Sequence, residues 1–133
     1  MFVIKNSYLA SINFPSAPGN GQKLFFNDIP VLRDKKITGM EMLSAGDLAV
    51  SPNLNTVIAD ADTDQIVITL VNKNNQEFIY QTPVLNYSPR NQNGLIRAIC
   101  PTYIDFQRSY ITVCDNTGIS ANEVVLFNFF YEN

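Results

Sequence analysis

The chain has 133 residues, of which 46% are hydrophobic and only 16% charged, with a net charge of −3 and no histidine. That length fits one domain with a core of its own. The weak negative charge argues against a nucleic-acid binder, which needs a concentrated basic face. The missing histidine excludes a Ser-His-Asp or Cys-His triad within the chain and removes the commonest metal ligand.

The charged share lies well below the roughly 25% of an average globular protein, so Asn, Gln, Ser and Thr must cover much of the surface. Such a surface suits flanks that pack against neighbours, and equally an extracellular binding module. No segment approaches the ~20 apolar residues of a membrane helix. The first six residues lack the basic and apolar regions of a signal peptide.

In chain order, residues 8–14 read as a first strand ended by Pro15. Residues 16–21 read as a flexible loop, and 23–26 resume an extended run. Asp28, Ile29 and Pro30 predict a short capped helical turn through Arg33. Residues 36–43 form a strand; 44–50 are ambiguous because Gly46 weakens a helix there; 56–58 are a short apolar run. Residues 65–71, QIVITLV, are β-branched on both faces, as in a strand covered on both sides. Asn72 to Asn75 supply turn residues, and 77–82 return, which makes the clearest hairpin of the chain. Residues 86–94 are a turn-rich loop.

Residues 95–100, 109–114 and 123–131 complete about eight strands. The last run alternates Val125, Phe127, Phe129 and Tyr131 on one face with Val124, Leu126, Asn128 and Phe130 on the other. A strand this apolar belongs in the middle of a sheet, because an exposed edge would aggregate. The expected fold class is all-β, a single jelly-roll sandwich of about eight antiparallel strands over residues 1–133, with 1–21 as an extended N-terminal arm and loop. An immunoglobulin-like sandwich is the alternative, but its buried Trp and widely spaced Cys pair are missing.

Few residues offer chemistry. Asp60, Asp62 and Asp64 alternate, and alternating carboxylates in a loop can wrap a calcium ion. The run lacks the glycine and the bidentate glutamate of an EF-hand, so it reads first as a solvated acidic loop, with calcium as the alternative. Arg33, Lys35 and Lys36, interrupted by Asp34, read as a solvated turn. Cys100 and Cys114 read as reduced, buried small hydrophobes, with a cross-strand disulfide as the alternative. The sequon-like Asn86-Tyr87-Ser88 reads as a turn because Pro89 follows. The fifteen aromatics are nine Phe and six Tyr. Phe is expected in the core and Tyr at its rim, although Tyr8, Tyr80, Tyr87 and Tyr103 are candidates for a sugar-binding platform. No catalytic residue, cofactor or metal is assigned.

Three stretches together carry a likeness: residues 24–43 (LFFNDIPVLRDKKITGMEML), 65–84 (QIVITLVNKNNQEFIYQTPV) and 103–113 (YIDFQRSYITV). On about two-thirds of its length the chain resembles the small single jelly-roll capsid proteins of tail-less icosahedral bacteriophages that infect Bacteroidetes-type hosts. The resemblance implies a penton or minor coat protein, made in the host cytoplasm and ending in the virion. It implies a homo-oligomer, a pentamer at the five-fold vertex, with neighbouring capsid proteins and a spike protein as partners. Residues 1–6 and 16–21 would then be arms reaching adjacent subunits. The family has no catalytic signature to match, so the resemblance carries a role and a fold. A carbohydrate- or receptor-binding sandwich is the alternative.

Overall fold

The computed structural model describes residues 6–48, 56–89, 97–116 and 118–132, without the side chains of Arg97 and Cys100. Nine strands run through them: β1 (Asn6–Asn13), β2 (Gln22–Phe25), β3 (Lys36–Leu43), β4 (Thr56–Val57), β5 (Ile66–Val71), β6 (Glu77–Pro83), β7 (Arg97–Thr102), β8 (Tyr110–Val113) and β9 (Glu123–Glu132). Their order in space is β1-β9-β3-β7 in one sheet and β2-β8-β5-β6 in the other, with short β4 lying parallel to the start of β9.

This order is a rolled hairpin. β5 pairs with β6, β3 with β7, β2 with β8 and β1 with β9, all antiparallel, so the outer pairs nest around the inner one. Rolling that ribbon adds the contacts β3–β9 and β5–β8, which knit it into two sheets. The result is the jelly roll expected from the strand rhythm.

The innermost hairpin shows why its sequence turns there. Asn72 Oδ1 accepts the backbone N–H groups of Asn74 and Gln76 at 3.0 and 2.9 Å. Asn75 takes the left-handed conformation, φ 63°, which asparagine tolerates better than most residues. In β6, Gln81 is also left-handed, φ 44°, where the pairing with β5 slips. Its N–H donates to Thr69 Oγ1 at 3.2 Å.

β9 occupies the centre that its apolar character requires, between β1 and β3. Val125, Phe127 and Phe129 point inward with no exposed surface. Phe26, Phe106, Phe127 and Phe129 meet largely edge to face, with ring centroids 5.0–5.8 Å apart across the contacting T-shaped pairs, the arrangement that ring quadrupoles favour. The opposite face of β9 is covered too. Val124 and Leu126 are buried with Val57, and Leu43 and Leu48 pack against them. β5 likewise buries Ile66, Ile68 and Leu70 inward, and Thr69 and Val71 are buried as well.

The short turns differ from expectation in detail. The predicted helical turn is a 3-10 turn, Pro30–Leu32, and Ile29 precedes it without a side-chain cap. Asp28 instead pairs with Arg33. The ambiguous segment contains a 3-10 turn at Ala45–Asp47, closed reciprocally by Ser44 and Asp47.

Within residues 1–21 the first strand expected at 8–14 is present. Residues 6–13 are a full strand paired with β9. The loop after it is fastened: Asn116 donates through Nδ2 to Pro18 O at 2.8 Å, and its N–H donates to Asn20 Oδ1 at 2.8 Å. Gly21 N–H donates to Val113 O at 2.6 Å. Residues 1–5 lie outside the described residues.

Candidate functional site

The alternating acidic run does not converge. Residues 60–65 form a 3-10 helix, Asp60–Gln65, and three residues per turn send side chains two apart in different directions. Asp60 is committed to structure. Its Oδ1 accepts Ser44 Oγ at 2.7 Å and Gly46 N–H at 2.9 Å, while its carbonyl accepts Thr63 Oγ1 at 2.7 Å. Asp62 lies against Gly118, where an added Cβ would stand 2.6 Å from the carboxylate. Asp64 is exposed. Among the described residues, no three or more of His, Cys, Asp and Glu gather where they could hold a metal ion.

One carboxyl is unusual. Burial raises the Glu123 pKa above its ordinary value, and the negative charge of Asp62 raises it further against a lowering hydrogen bond from the Ser120 backbone. Its Oε2 is buried without a hydrogen-bond partner. Glu123 sits at the start of β9, where its backbone also accepts from Phe14 N–H at 2.9 Å.

Cys114 is free and exposed, which corrects the buried reading. Strand alternation explains it: Ile111 and Val113 face the core, so 110, 112 and 114 face outward. The backbone of Cys100 lies in β7, in the other sheet from β8. The basic turn behaves as a surface feature, with Arg33 paired to Asp28 and the Lys35 ammonium 5.9 Å from the centre of the Tyr131 ring.

The four candidate tyrosines are dispersed. Tyr87 is buried in the core, Tyr8 is on edge strand β1 and Tyr80 on edge strand β6 of the other sheet. Tyr103 is exposed beside Arg33, Asp34 and Lys73 around an open hollow of about 550 Å³.

What the sequence reading missed is the placement of exposed apolar groups on two opposite flanks. On one flank, β1 and the segment following β2 face each other across a groove of about 160 Å³, bounded by residues 8–11 and 26–29. Leu9 and Phe25 stand exposed here at 45% and 53%. Phe25 leans on Tyr110, ring centres 5.1 Å apart, and the Lys23 ammonium lies 4.7 Å from the centre of the Tyr110 ring. The other flank is the β6 and β7 side, where Tyr80 is 58% exposed and Glu77 is exposed with it. The run Leu24-Phe25-Phe26 held a signal: in an extended segment three consecutive apolar residues cannot all face one core.

Among the described residues, no helix is long and apolar enough to cross a membrane. Comparison with protein-family models, curated proteins and solved structures finds no match.

Proposed function

We propose that the protein is a structural coat component of a virion, a penton or minor capsid protein that associates side to side with further copies and with neighbouring coat subunits. The observation that carries this reading is the jelly roll with exposed apolar residues on two opposite flanks, Leu9 and Phe25 on one and Tyr80 on the other. Different surfaces on opposite flanks favour heterologous contacts, which close into a ring when the rotation between copies permits. The likeness of residues 24–43, 65–84 and 103–113 to phage penton proteins supports the same role. The commitment of Asp60 to internal hydrogen bonds fits a scaffold without catalysis.

The test is the mass of the purified chain in solution and its position in an intact particle. A ring of defined stoichiometry, or density for the chain at a vertex, is the expected result. A monomer at high concentration that never enters a particle overturns the proposal.

A second reading, a carbohydrate- or receptor-binding module, draws on Tyr103 with Lys73 and Arg33 around the open hollow. An aromatic face beside charged groups of both signs, Asp34 among them, suits a sugar's apolar face and hydroxyls. A glycan array without hits removes it.

A further inference from the structure

We infer that β1 is a docking edge for a second copy of this chain, the two β1 strands pairing antiparallel about a two-fold axis at Leu9. This pairing goes beyond the coat-protein reading and does not need it. It occupies the β1 flank alone and leaves the β6 and β7 flank to other coat subunits.

The outer edge of β1 carries unused hydrogen-bonding groups. Among the described residues, β1 pairs with β9 and with no other strand. Phe14 N–H donates to Glu123 O at the end of that ladder. By alternation the backbone groups of residues 12, 10 and 8 turn to β9 as well, and those of Ser7, Leu9, Ser11 and Asn13 turn away from it. An open hollow separates this edge from residues 26–29.

The edge is also unguarded. Natural sheets protect an exposed edge by brevity, charge, proline or a bulge. β2 has four residues, Lys23 among them. β6 carries Glu77, the left-handed Gln81 and Pro83, and β7 carries Arg97 and Pro101. β1 has eight residues and pairs with β9 without a slip in register. It contains no charged residue, no proline and no positive φ. In a chain of net charge −3, two such strands meet without opposing like charges.

Self-complementarity selects the occupant. Around Leu9 the outward face of the strand reads the same in both directions, Ser7-Leu9-Ser11. An antiparallel pair centred there sets Leu9 against Leu9 and the Ser7 of each copy against the Ser11 of the other, and hydroxyl pairs across strands are favourable. On the inner face it sets part-buried Tyr8 against buried Ala10, a large side chain opposite a small one. The three residues Ser7, Leu9 and Ser11 of each copy then exchange about six backbone hydrogen bonds. Leu9, 45% exposed in the single chain, gains an apolar neighbour. The merged sheet ends on β7 at both sides, where charge and proline stop it at two copies and not a fibre.

The experiment measures mass by native mass spectrometry and sedimentation over a concentration series, for the unaltered chain, Leu9→Lys and Ser11→Pro. Leu9→Lys brings two like charges together at the axis. Ser11→Pro removes an N–H that points away from β9, so the ladder within the chain keeps its bonds. Circular dichroism and thermal melting verify that both variants fold. The unaltered chain is expected to form a dimer, and each change, present on both strands, to weaken it by about tenfold or more. Mild oxidation of Leu9→Cys in a Cys114→Ser background reads the register. Hydrogen-bonded antiparallel partners stand ~5.5 Å apart at Cα, within disulfide reach, so Leu9→Cys is expected to cross-link two chains and Asn13→Cys is not. A dimer that both variants leave intact, or one that cross-links at 13 and not at 9, overturns the pairing. So does a chain that stays monomeric at every concentration; if that monomer still takes a place in a particle, the coat-protein reading stands. A β1-paired dimer that never enters a particle keeps the pairing and removes the coat-protein reading.

Discussion

Ser44 and Asp60, sixteen residues apart, are joined by a hydrogen bond of 2.7 Å from the serine hydroxyl to the carboxylate. Ser44 has no exposed surface, and the same carboxylate oxygen also accepts the Gly46 N–H. Removing the acceptor leaves the Ser44 hydroxyl with Asp47 Oδ2 at 3.1 Å and turns the exposed Gly46 N–H to water, so the loss is that of two hydrogen bonds, about 1–2 kcal/mol net in all. Asp60→Ala is therefore expected to lower stability by roughly that amount in urea unfolding, while Asp60→Asn, which keeps an acceptor oxygen, loses less. Added calcium leaves the melting temperature of the unaltered chain unchanged if this carboxylate serves the fold. A rise of several degrees with calcium would restore the ion-binding reading of Asp60, Asp62 and Asp64.

Gly46 tests the same contact from the other side. A Cβ placed there falls inside contact distance of the Asp60 carboxylate. Gly46→Ala must push Asp60 off its donors, so it is expected to destabilise by an amount similar to Asp60→Ala. In the double variant the two losses should not add, because they break one contact. Full additivity in thermal melts would show that Gly46 acts through something else.

Much of the fold was legible because it is written in local pattern. The β5–β6 hairpin declared itself through six consecutive β-branched or apolar positions, Ile66 to Val71, and an asparagine-rich turn, and β9 through its apolar alternation. The jelly-roll order itself needs contacts between distant segments, such as β1 with β9, and no local pattern states them. The acidic run was read first as a solvated loop; that residues 60–65 coil into a 3-10 helix and tie Asp60 to Ser44 and Gly46 was not legible, because those partners lie in another segment. Cys114 misled because an apolar run was read as buried throughout, although alternation placed it outside. The flanks were least legible: the groove exists only where β1 and residues 26–29 are brought together by the rolled ribbon.

Asn116 is a second joint hidden from local reading. Its Nδ2 donates to Pro18 O, its Oδ1 accepts from the N–H groups of Gly118 and Ile119 at 3.1 and 2.8 Å, and its own N–H reaches Asn20. Asn116→Asp keeps the acceptor and loses the donor, whereas Asn116→Ala loses both. With about 1 kcal/mol net for each hydrogen bond, the alanine variant should be less stable than the aspartate variant by roughly 1–2 kcal/mol. Proteolysis near residues 15–21 should quicken in both variants, since both lose the Nδ2 bond to Pro18 O, and stay modest because the backbone N–H of residue 116 still reaches Asn20 and Gly21 N–H still reaches Val113 O. Equal stability of the two variants would contradict this ranking.

Cys114 gives a chemical test of strand orientation. Its exposure predicts rapid reaction with a thiol reagent in the native state. Cys114→Ser should abolish that fast phase and leave the melting temperature within about a degree, because a surface change away from special features costs less than ~0.5 kcal/mol. A slow reaction that appears only on unfolding would place residue 114 in the core and reverse the facing of β8.

Phe129 measures the core itself. It has no exposed surface and meets both Phe26 and Phe106 edge to face. Phe129→Ala loses its burial and leaves a cavity that the surrounding rings cannot fill, a cost of about 3–5 kcal/mol. Phe129→Leu, which refills part of the volume, should recover some of the loss. Denaturant midpoints of the two variants decide the point; equal midpoints would mean that the refilled volume brings nothing back and that the loss lies in the ring contacts.

Glu123 sets the expected pH dependence. Burial and the Asp62 charge raise its carboxyl in the folded chain above the ordinary 4.5. A raised acid binds its proton more tightly when folded than when unfolded, so the ionised form costs stability at neutral pH. As pH falls through the folded value toward 4.5, protonation removes that cost, and below both values the contribution is constant. Glu123→Gln mimics the protonated group at every pH. It is therefore expected to melt at a higher temperature than the unaltered chain at pH 7, with the gap closing as pH falls toward 4.5. A gap that persists unchanged to pH 4 would mean that the glutamine stabilises through new hydrogen bonds, and a lower melting temperature at pH 7 would mean that the carboxylate is satisfied by a favourable partner.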